Sequence, residues 1–280
     1  MDFRTIVDIP PSLWKIGPCE RMLFVGSCFA DNIGKRFVDE KFRAVVNPFG
    51  VMYNPASILH TVERLKESGD QPFQKEETGT AVFTLGTNHV YILKETGEIV
   101  DNCQKRPQQL FQEKELAVSE CANYLQQAIN LITKSFPRVR FIITVSPIRY
   151  RKYGYHLSQL SKATLLLATQ LLIDRMAAER PEANITYFPS YEIVNDELRD
   201  YRFYKPDMLH PSDQAVEYIY DRMADTFFSD ATRSFLKEWK PIREALHHRP
   251  FNPDSEEYKN FLAKTMEKYD ALKQRFPNLS

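Results

Sequence analysis

Strands that alternate with helices along most of this chain predict an α/β protein with a mostly parallel central sheet covered on both faces. Three observations carry that expectation. Short apolar runs such as "RMLFVGS" (21–27) and the β-branched "RVRFIITVSPI" (138–148) stop at Gly, Ser or Pro. Segments with apolar residues at helical spacing follow them. The 280 residues, 43% hydrophobic and 26% charged, are enough for one large core.

The elements follow in order. "RMLFVGS" reads as a buried strand, and "CFADNIGKRFVDEKF" after it as a helix with Phe29, Ile33, Phe37 and Val38 on its apolar face. "RAVVNPFG" is a second strand ending at Asn47-Pro48. "NPASILHTVERLKES" is a helix with Asn54 as N-cap, Pro55 at its first position and a stripe of Ile58, Val62 and Leu65. "AVFTLG" is a strand, and "HVYILKETGEIVDN" a hairpin turning at Thr96-Gly97. From Pro107 to Pro137 the chain reads as one long amphipathic helical region, before the strand at 138–148. "SQLSKATLLLATQLLIDRMAAERP" is a long helix in which Ser161 and Lys162 read as its cap; the pair lacks Ser-x-x-Lys spacing. "NITYFPSYEIV" holds a strand, and Ser212 caps a helix with Ala215, Ile219 and Met223 on one face. The α/β domain is expected over 1–233, with a core at about 21–228. Residues 234–280 are expected to form a helical extension packed on it, interrupted by Pro241, Pro250 and Pro253.

Charge narrows the function. The 37 basic and 37 acidic residues cancel, which gives no electrostatic reason to expect nucleic acid or an anionic membrane as partner. No run of 18 apolar residues and no basic-then-apolar leader is seen, so the expectation is a cytoplasmic protein. Cysteines 19, 28, 103 and 121 lack CxxC spacing, and His60, His247 and His248 lack ligand spacing. No metal and no cofactor is expected. No Gly-rich phosphate loop is present either.

In parallel sheets, ligands bind outside the carboxyl ends of the strands. Gly26-Ser27-Cys28, Asn47-Pro48, Gly86-Thr87-Asn88 and Ser146-Pro147 all follow expected strands and should gather at one edge. Ser27 and Cys28 are nucleophile-capable side chains at a strand-to-helix turn. "DMLHPS" (207–212) places Asp207 three residues before His210, so one loop can supply a proton shuttle and the carboxylate that orients it. "LGTN" (85–88) offers an amide for an oxyanion. Arg149 and His156 are candidates for an anionic or sugar substrate at the cleft edge, and Lys105, beside Asn102 and Cys103, for a further substrate contact.

The stretches "FVGSCFADNIG", "NPFGVMYNP", "TLGT", "DNCQK", "TVSPIRY", "LSKATLLLA" and "DMLHPS" resemble the GSCFA family, a bacterial group within the SGNH, or GDSL-like, hydrolase superfamily. The resemblance spans about 22–216. It implies a three-layer α/β/α fold and hydrolysis or transfer of acyl esters. It also implies four site positions. The nucleophile, two residues after the first Gly, falls on Cys28, with Ser27 beside it as the rival. The oxyanion Gly falls on Gly50, with Asn47 or Asn54 as other polar candidates in that block. The Asn of the Gly-x-Asn block falls on Asn88, after Gly86, with Thr87 or His89 as alternatives. The terminal pair is Asp207 and His210. The implied substrate is a small-molecule or carbohydrate ester, or a thioester. The alternative is an SGNH-fold binding module without turnover.

Overall fold

The computed structural model describes residues 4–279. The first strand, β1 (Arg21–Gly26), leads directly into α1 (Cys28–Asp39), whose N-cap is Ser27. The chain returns through β2 (Arg43–Val46) and α2 (Pro55–Ser68), capped by Asn54 with Pro55 at its start. β3 (Gly79–Leu85) follows, then β4 (His89–Leu93), β5 (Ile99–Val100) and β6 (Phe111–Glu115). Next come α3 (Val118–Ser135), β7 (Val139–Val145), α4 (Gly154–Glu179) and β8 (Ile185–Tyr187). A short α5 (Ser190–Glu192) runs into a π-helical turn (Ile193–Leu198), followed by α6 (Asp213–Phe227), α7 (Asp230–His247) and α8 (Glu256–Arg275).

The main sheet has five strands in the order β2-β1-β3-β7-β8, all parallel. Its register aligns Gly26 with Thr84 and Leu85 with Val145, so the strands end together. Successive side chains point to opposite faces of a strand, and each face has its own core. Leu23, Val25, Phe83, Phe141 and Ile143 pack under α2, α3 and α4. Met22, Phe24, Val82 and Ile142 pack under α1 and α6. The result is three layers. From β1 the chain goes to β2 on one side and then to β3 on the other, which makes the crevice between β1 and β3 the switch point where ligands bind in such sheets.

Three expectations need correction. The segment after Pro107 is not helical throughout: Phe111–Glu115 is a strand pairing antiparallel with β4, and the helix starts only at Val118. "FQEKE" is rich in helix formers and buries only Phe111, but the open edge of the β4-β5 hairpin overrides that local preference. Ser161 and Lys162 are not a helix cap; α4 already begins at Gly154, and both side chains are buried inside it. Pro241 does not interrupt the extension, because α7 runs through it; Pro250 and Pro253 lie between α7 and α8. The α7-α8 pair has its own apolar cluster of Phe235, Trp239, Ile242 and Leu272 with Cys19. It is tied to the end of α1 by Trp239 Nε1 donating to Asp39 O (3.1 Å) and by Arg243 against Glu40.

Candidate active site

The turn after β1 is fixed from several sides. Gly26 has φ +149°, and a Cβ there would lie 2.1 Å from Thr84 O, so only glycine fits between β1 and β3. Its N–H donates to Asn47 Oδ1 (2.9 Å), while Asn47 Nδ2 donates to Asp31 Oδ1 (2.5 Å). Asn47 thus locks the β2 end onto both the turn and α1.

The two nucleophile candidates part company here. Ser27 is 1% exposed. Its Oγ accepts from Phe29 N (3.2 Å) as the α1 cap and lies 3.2 Å from Thr84 Oγ1. Cys28 is the first helical residue and only partly buried. Its Sγ lies 3.4 Å from Tyr53 Oη. Burial, then the contact with Cys28, pushes the Tyr53 phenol well above its ordinary range, so it remains a protonated donor. Phe29 N and Ala30 N are spent on Ser27 Oγ and Ser27 O (2.7 Å), and the helix N-terminus at Cys28 carries positive potential.

The second half of the site lies at the start of α6. Asp207 Oδ2 and His210 Nδ1 are 2.6 Å apart, and Asp207 Oδ1 accepts from Leu209 N (2.8 Å) and His210 N (3.0 Å). The backbone donors of His210 and Leu209, with the imidazole, hold the carboxyl at about 2. The loop is shaped by Met208 at φ +58°, by Lys205 N donating to His210 O (2.7 Å), and by Ser212 capping α6 through Ala215 N. Arg149, just past β7, holds it from the sheet side: its N–H donates to Leu209 O (3.0 Å) and its guanidinium to Met208 O (3.1 Å).

Strand ends connect the halves. Ser27 N donates to Thr84 O, and Ser146 N to Leu85 O. Ile148 is in the same apolar cluster as Cys28, Phe203 and Tyr204. Among the described residues no hydrogen bond joins His210 to Cys28 or Ser27.

The remaining sequence candidates fall into place as follows. Gly86 sits under the turn: its N–H and that of Thr87 both donate to Tyr53 O (2.9 and 2.8 Å), and a Cβ on Gly86 would lie 3.4 Å from Ser27 Cβ. Gly50 is exposed at φ +94°, with its N–H given to Asn47 O (2.9 Å). Thr87 is buried, with Oγ1 3.0 Å from Ser161 Oγ. Asn88 is 3% exposed; its Nδ2 donates to Leu116 O (2.9 Å), and its Oδ1 is buried without a protein partner. His89 is buried and stacks on Tyr153 at 4.0 Å between ring centres. Asn54 is spent as the α2 cap. His60 pairs with Asp101 (2.8 Å), and His247 with Arg243 O in the extension. Asn102 accepts from Gln104 N within its own loop. Among the described residues no cluster of three or more His, Cys, Asp or Glu could hold a metal ion, and no described helix is long and apolar enough to cross a membrane.

Sequence reasoning assigned no role to Tyr53 and misread Lys162. Lys162 is 2% exposed, and its Nζ donates to Gly86 O (2.6 Å) and Ser146 O (2.8 Å), clamping the ends of β3 and β7. Burial drives its ammonium from 10.5 down to about 7. A signal was present: Lys162 is in helical register with buried Ser158, Leu165, Ala168 and Leu172. Tyr53 carried none beyond its place in the "NPFGVMYNP" stretch.

The structure is thus an α/β protein with the Ser27-Cys28 turn at the switch point of its parallel sheet and a bonded Asp207–His210 pair on the loop before α6. The chain belongs to the GSCFA family, whose model matches residues 21–79 and 73–223; a second model, for the C-terminal domain of GSCFA domain proteins, matches 239–280. No curated protein matches the chain. Among solved structures, similarity is found to a protein from Streptococcus pneumonia described as a candidate platelet activating factor. It is 17% identical, covering 74% of this chain and 84% of that one, with a TM-score of 0.44. A carbohydrate esterase family 3 protein from Talaromyces cellulolyticus is 9% identical over 78% of this chain and 98% of its own, with a TM-score of 0.40. An acetyl xylan esterase from Butyrivibrio proteoclasticus is 10% identical over 78% and 64%, with a TM-score of 0.33.

Proposed function

We propose that this protein is an SGNH-type acyl-transfer enzyme, hydrolysing or transferring the acyl group of a small or carbohydrate ester or a thioester, with Cys28 as nucleophile. The observation that carries the reading is the division of labour at the turn. Ser27 Oγ is buried and committed to capping, while the Cys28 thiol stands at the partly open first position of α1. In this mechanism His210 accepts the thiol proton as Sγ attacks the carbonyl carbon. Asp207, anionic at any working pH, holds Nδ1–H and so leaves Nε2 as the basic atom. The tetrahedral oxyanion is held by the Cys28 N–H and the Tyr53 hydroxyl. Gly50 and Asn88 join them only if their donors leave Asn47 O and Leu116 O. The imidazolium then protonates the departing alcohol or thiol, and the acyl group of the Cys28 thioester passes to water or to an acceptor alcohol, whose proton His210 takes and returns to the released Sγ. Reaction requires His210 to close on Cys28, since apo geometry is often loose.

Neutral-pH alkylation with iodoacetamide, read by peptide mass spectrometry alongside 4-nitrophenyl acetate turnover, tests this. Cys28 should label faster than Cys103 and slow at least tenfold in His210→Ala, with turnover lost in Cys28→Ala. Turnover that survives Cys28→Ala and stops in Ser27→Ala would return the role to the serine. One observation favours a silent binding module instead: the thiol's polar neighbour is Tyr53, not His210. Labelling of Cys28 no faster than Cys103, together with no turnover, would select that reading.

A further inference from the structure

Beside the His210 loop lies a cavity of about 240 Å³ that the chemistry above does not use, lined by Arg149, Arg199, Gln159, Asn195, Tyr201 and Tyr204. We infer that it is a subsite for one pyranose ring carrying an anionic group, carboxylate or phosphate. As the sugar side of an acylated substrate it rests on the proposed acyl transfer; as a binding site it does not.

The charge balance of the lining supports an anion. Among the described residues Arg149 has no carboxylate partner: its guanidinium donates to Met208 O and lies against the rings of Tyr155 (4.3 Å), Tyr204 (5.5 Å) and Tyr201 (5.9 Å). A guanidinium packed on aromatic rings keeps its N–H edges for a planar or tetrahedral oxyanion. Arg199 has a loose ion pair with Asp196 at 4.0 Å and keeps 79% of its side chain exposed, so much of its charge is open to a ligand. The one carboxylate in the lining, Asp200, is turned to Arg202, accepting from its N–H (2.9 Å) and lying 3.8 Å from its Nε.

The remaining lining suits a sugar. Tyr201, 67% exposed, and Tyr204 line it with ring centroids 6.3 Å apart and planes tilted by 47°. Gln159 Oε1 accepts from the Tyr191 hydroxyl and Asn195 Nδ2 donates to Tyr191 O (2.7 Å), which leaves Gln159 Nε2 and Asn195 Oδ1 as the amide atoms for hydroxyl groups. The volume is below the ~300–1,000 Å³ of drug-sized ligand sites, which suits one ring and not a chain. Asn195 and Arg199 are presented by the π-helical turn and the residue after it, where the backbone reaches φ +23°. π-helical turns are rare and concentrate at functional sites. Finally, Arg149 grips Leu209 O and Met208 O, so an occupant of this cavity sits directly behind the residues that carry His210.

Calorimetric titration of the full chain with methyl glucuronide, glucose 6-phosphate, methyl glucoside and inorganic phosphate tests the assignment. One or both anionic sugars should bind at least tenfold tighter than the glucoside and than inorganic phosphate. Comparison of the two anionic sugars identifies the group. Binding should weaken at least tenfold in Arg149→Gln and in the exposed Arg199→Gln, and severalfold in Tyr201→Ala. Equal binding of glucoside and anionic sugars, binding of phosphate as tight as the sugars, no binding at all, or binding unchanged in Arg199→Gln would overturn it. Ester turnover by the wild type, measured beside these titrations, separates the two readings. Selective binding without ester turnover by the wild type removes the acyl-transfer reading and leaves the subsite. Turnover without selective binding does the reverse.

Discussion

Lys162→Met should change how stability depends on pH, and the size of the change follows from burial. The Lys162 ammonium has two carbonyl acceptors, Gly86 O and Ser146 O, and among the described residues no carboxylate in ion-pair reach. Desolvation lowers its protonation from 10.5 in a free side chain to about 7 in the fold. Between those values the unfolded chain holds one more proton than the folded chain, so unfolding becomes harder as pH rises. The contribution is complete above the unfolded value and is lost as pH falls through that window to about 7. The slope is at most about 1.4 kcal/mol per pH unit, or about 5 kcal/mol over the whole window. Methionine keeps the length and removes the charge, leaving two carbonyls without their donor at about 1–3 kcal/mol each. Urea unfolding of both proteins at pH 6.5, 8.0 and 9.5 isolates the lysine, because the other titrating groups cancel in the difference. The wild type should gain about 3 kcal/mol on the variant between neutrality and pH 9.5. A difference that stays flat would mean that the two carbonyls hold the ammonium charged throughout, and would refute the argument from burial.

Asp207→Asn should lower kcat/KM for ester turnover on the order of 10³-fold, read from steady-state kinetics, because an amide no longer holds His210 in the working tautomer. With the carboxyl held at about 2, its loop-stabilising charge is present above its ordinary 3.8 and lost only as pH falls through about 2. The acid limb of the wild-type rate profile should therefore not come from Asp207, and a limb that disappears in the residual activity of Asp207→Asn would contradict this. Ser27→Ala should cost about 1 kcal/mol in chemical denaturation through loss of the α1 cap, while Cys28 alkylation continues. Trp239→Ala, at a side chain 1% exposed and bonded to Asp39 O, should cost about 3–5 kcal/mol and open the α7-α8 pair to limited proteolysis ahead of the sheet.

The parallel sheet was legible because its central strands β1, β3 and β7 are buried on both faces and read as apolar runs ending at Gly, Ser or Pro. The helix caps Asn54 and Ser212 were legible because capping is a local rule. The Asp207–His210 contact was legible for the same reason, three residues on one tight loop. What escaped was non-local. β6 is a strand only because β4 offers it an edge, and nothing within "FQEKE" says so. Asn88 stands at the position the family resemblance gives to an oxyanion donor, yet its amide is turned to Leu116 O, a partner 28 residues away. Lys162 was misread because a short polar pair before an apolar run suggests a cap; only the earlier helix start at Gly154 moves it inside.

The same distinction bears on the choice between Ser27 and Cys28. Sequence can count positions from Gly26, but it cannot say which of two adjacent side chains a turn will bury. Here the parallel pairing of Gly26 with Thr84 decides it. That pairing brings Thr84 Oγ1 and Thr84 O against Ser27, which leaves the serine inside the sheet end, while Cys28 is only partly buried beside Tyr53. The burial of Ser27 is therefore a consequence of how β1 and β3 are aligned. A substitution at Thr84 that removes the hydroxyl, such as Thr84→Val, should loosen Ser27 without exposing it, because the Ser27 N–H to Thr84 O bond (3.1 Å) remains. The register of the sheet, more than the identity of either side chain, is what buries Ser27 and leaves Cys28 as the more open of the two.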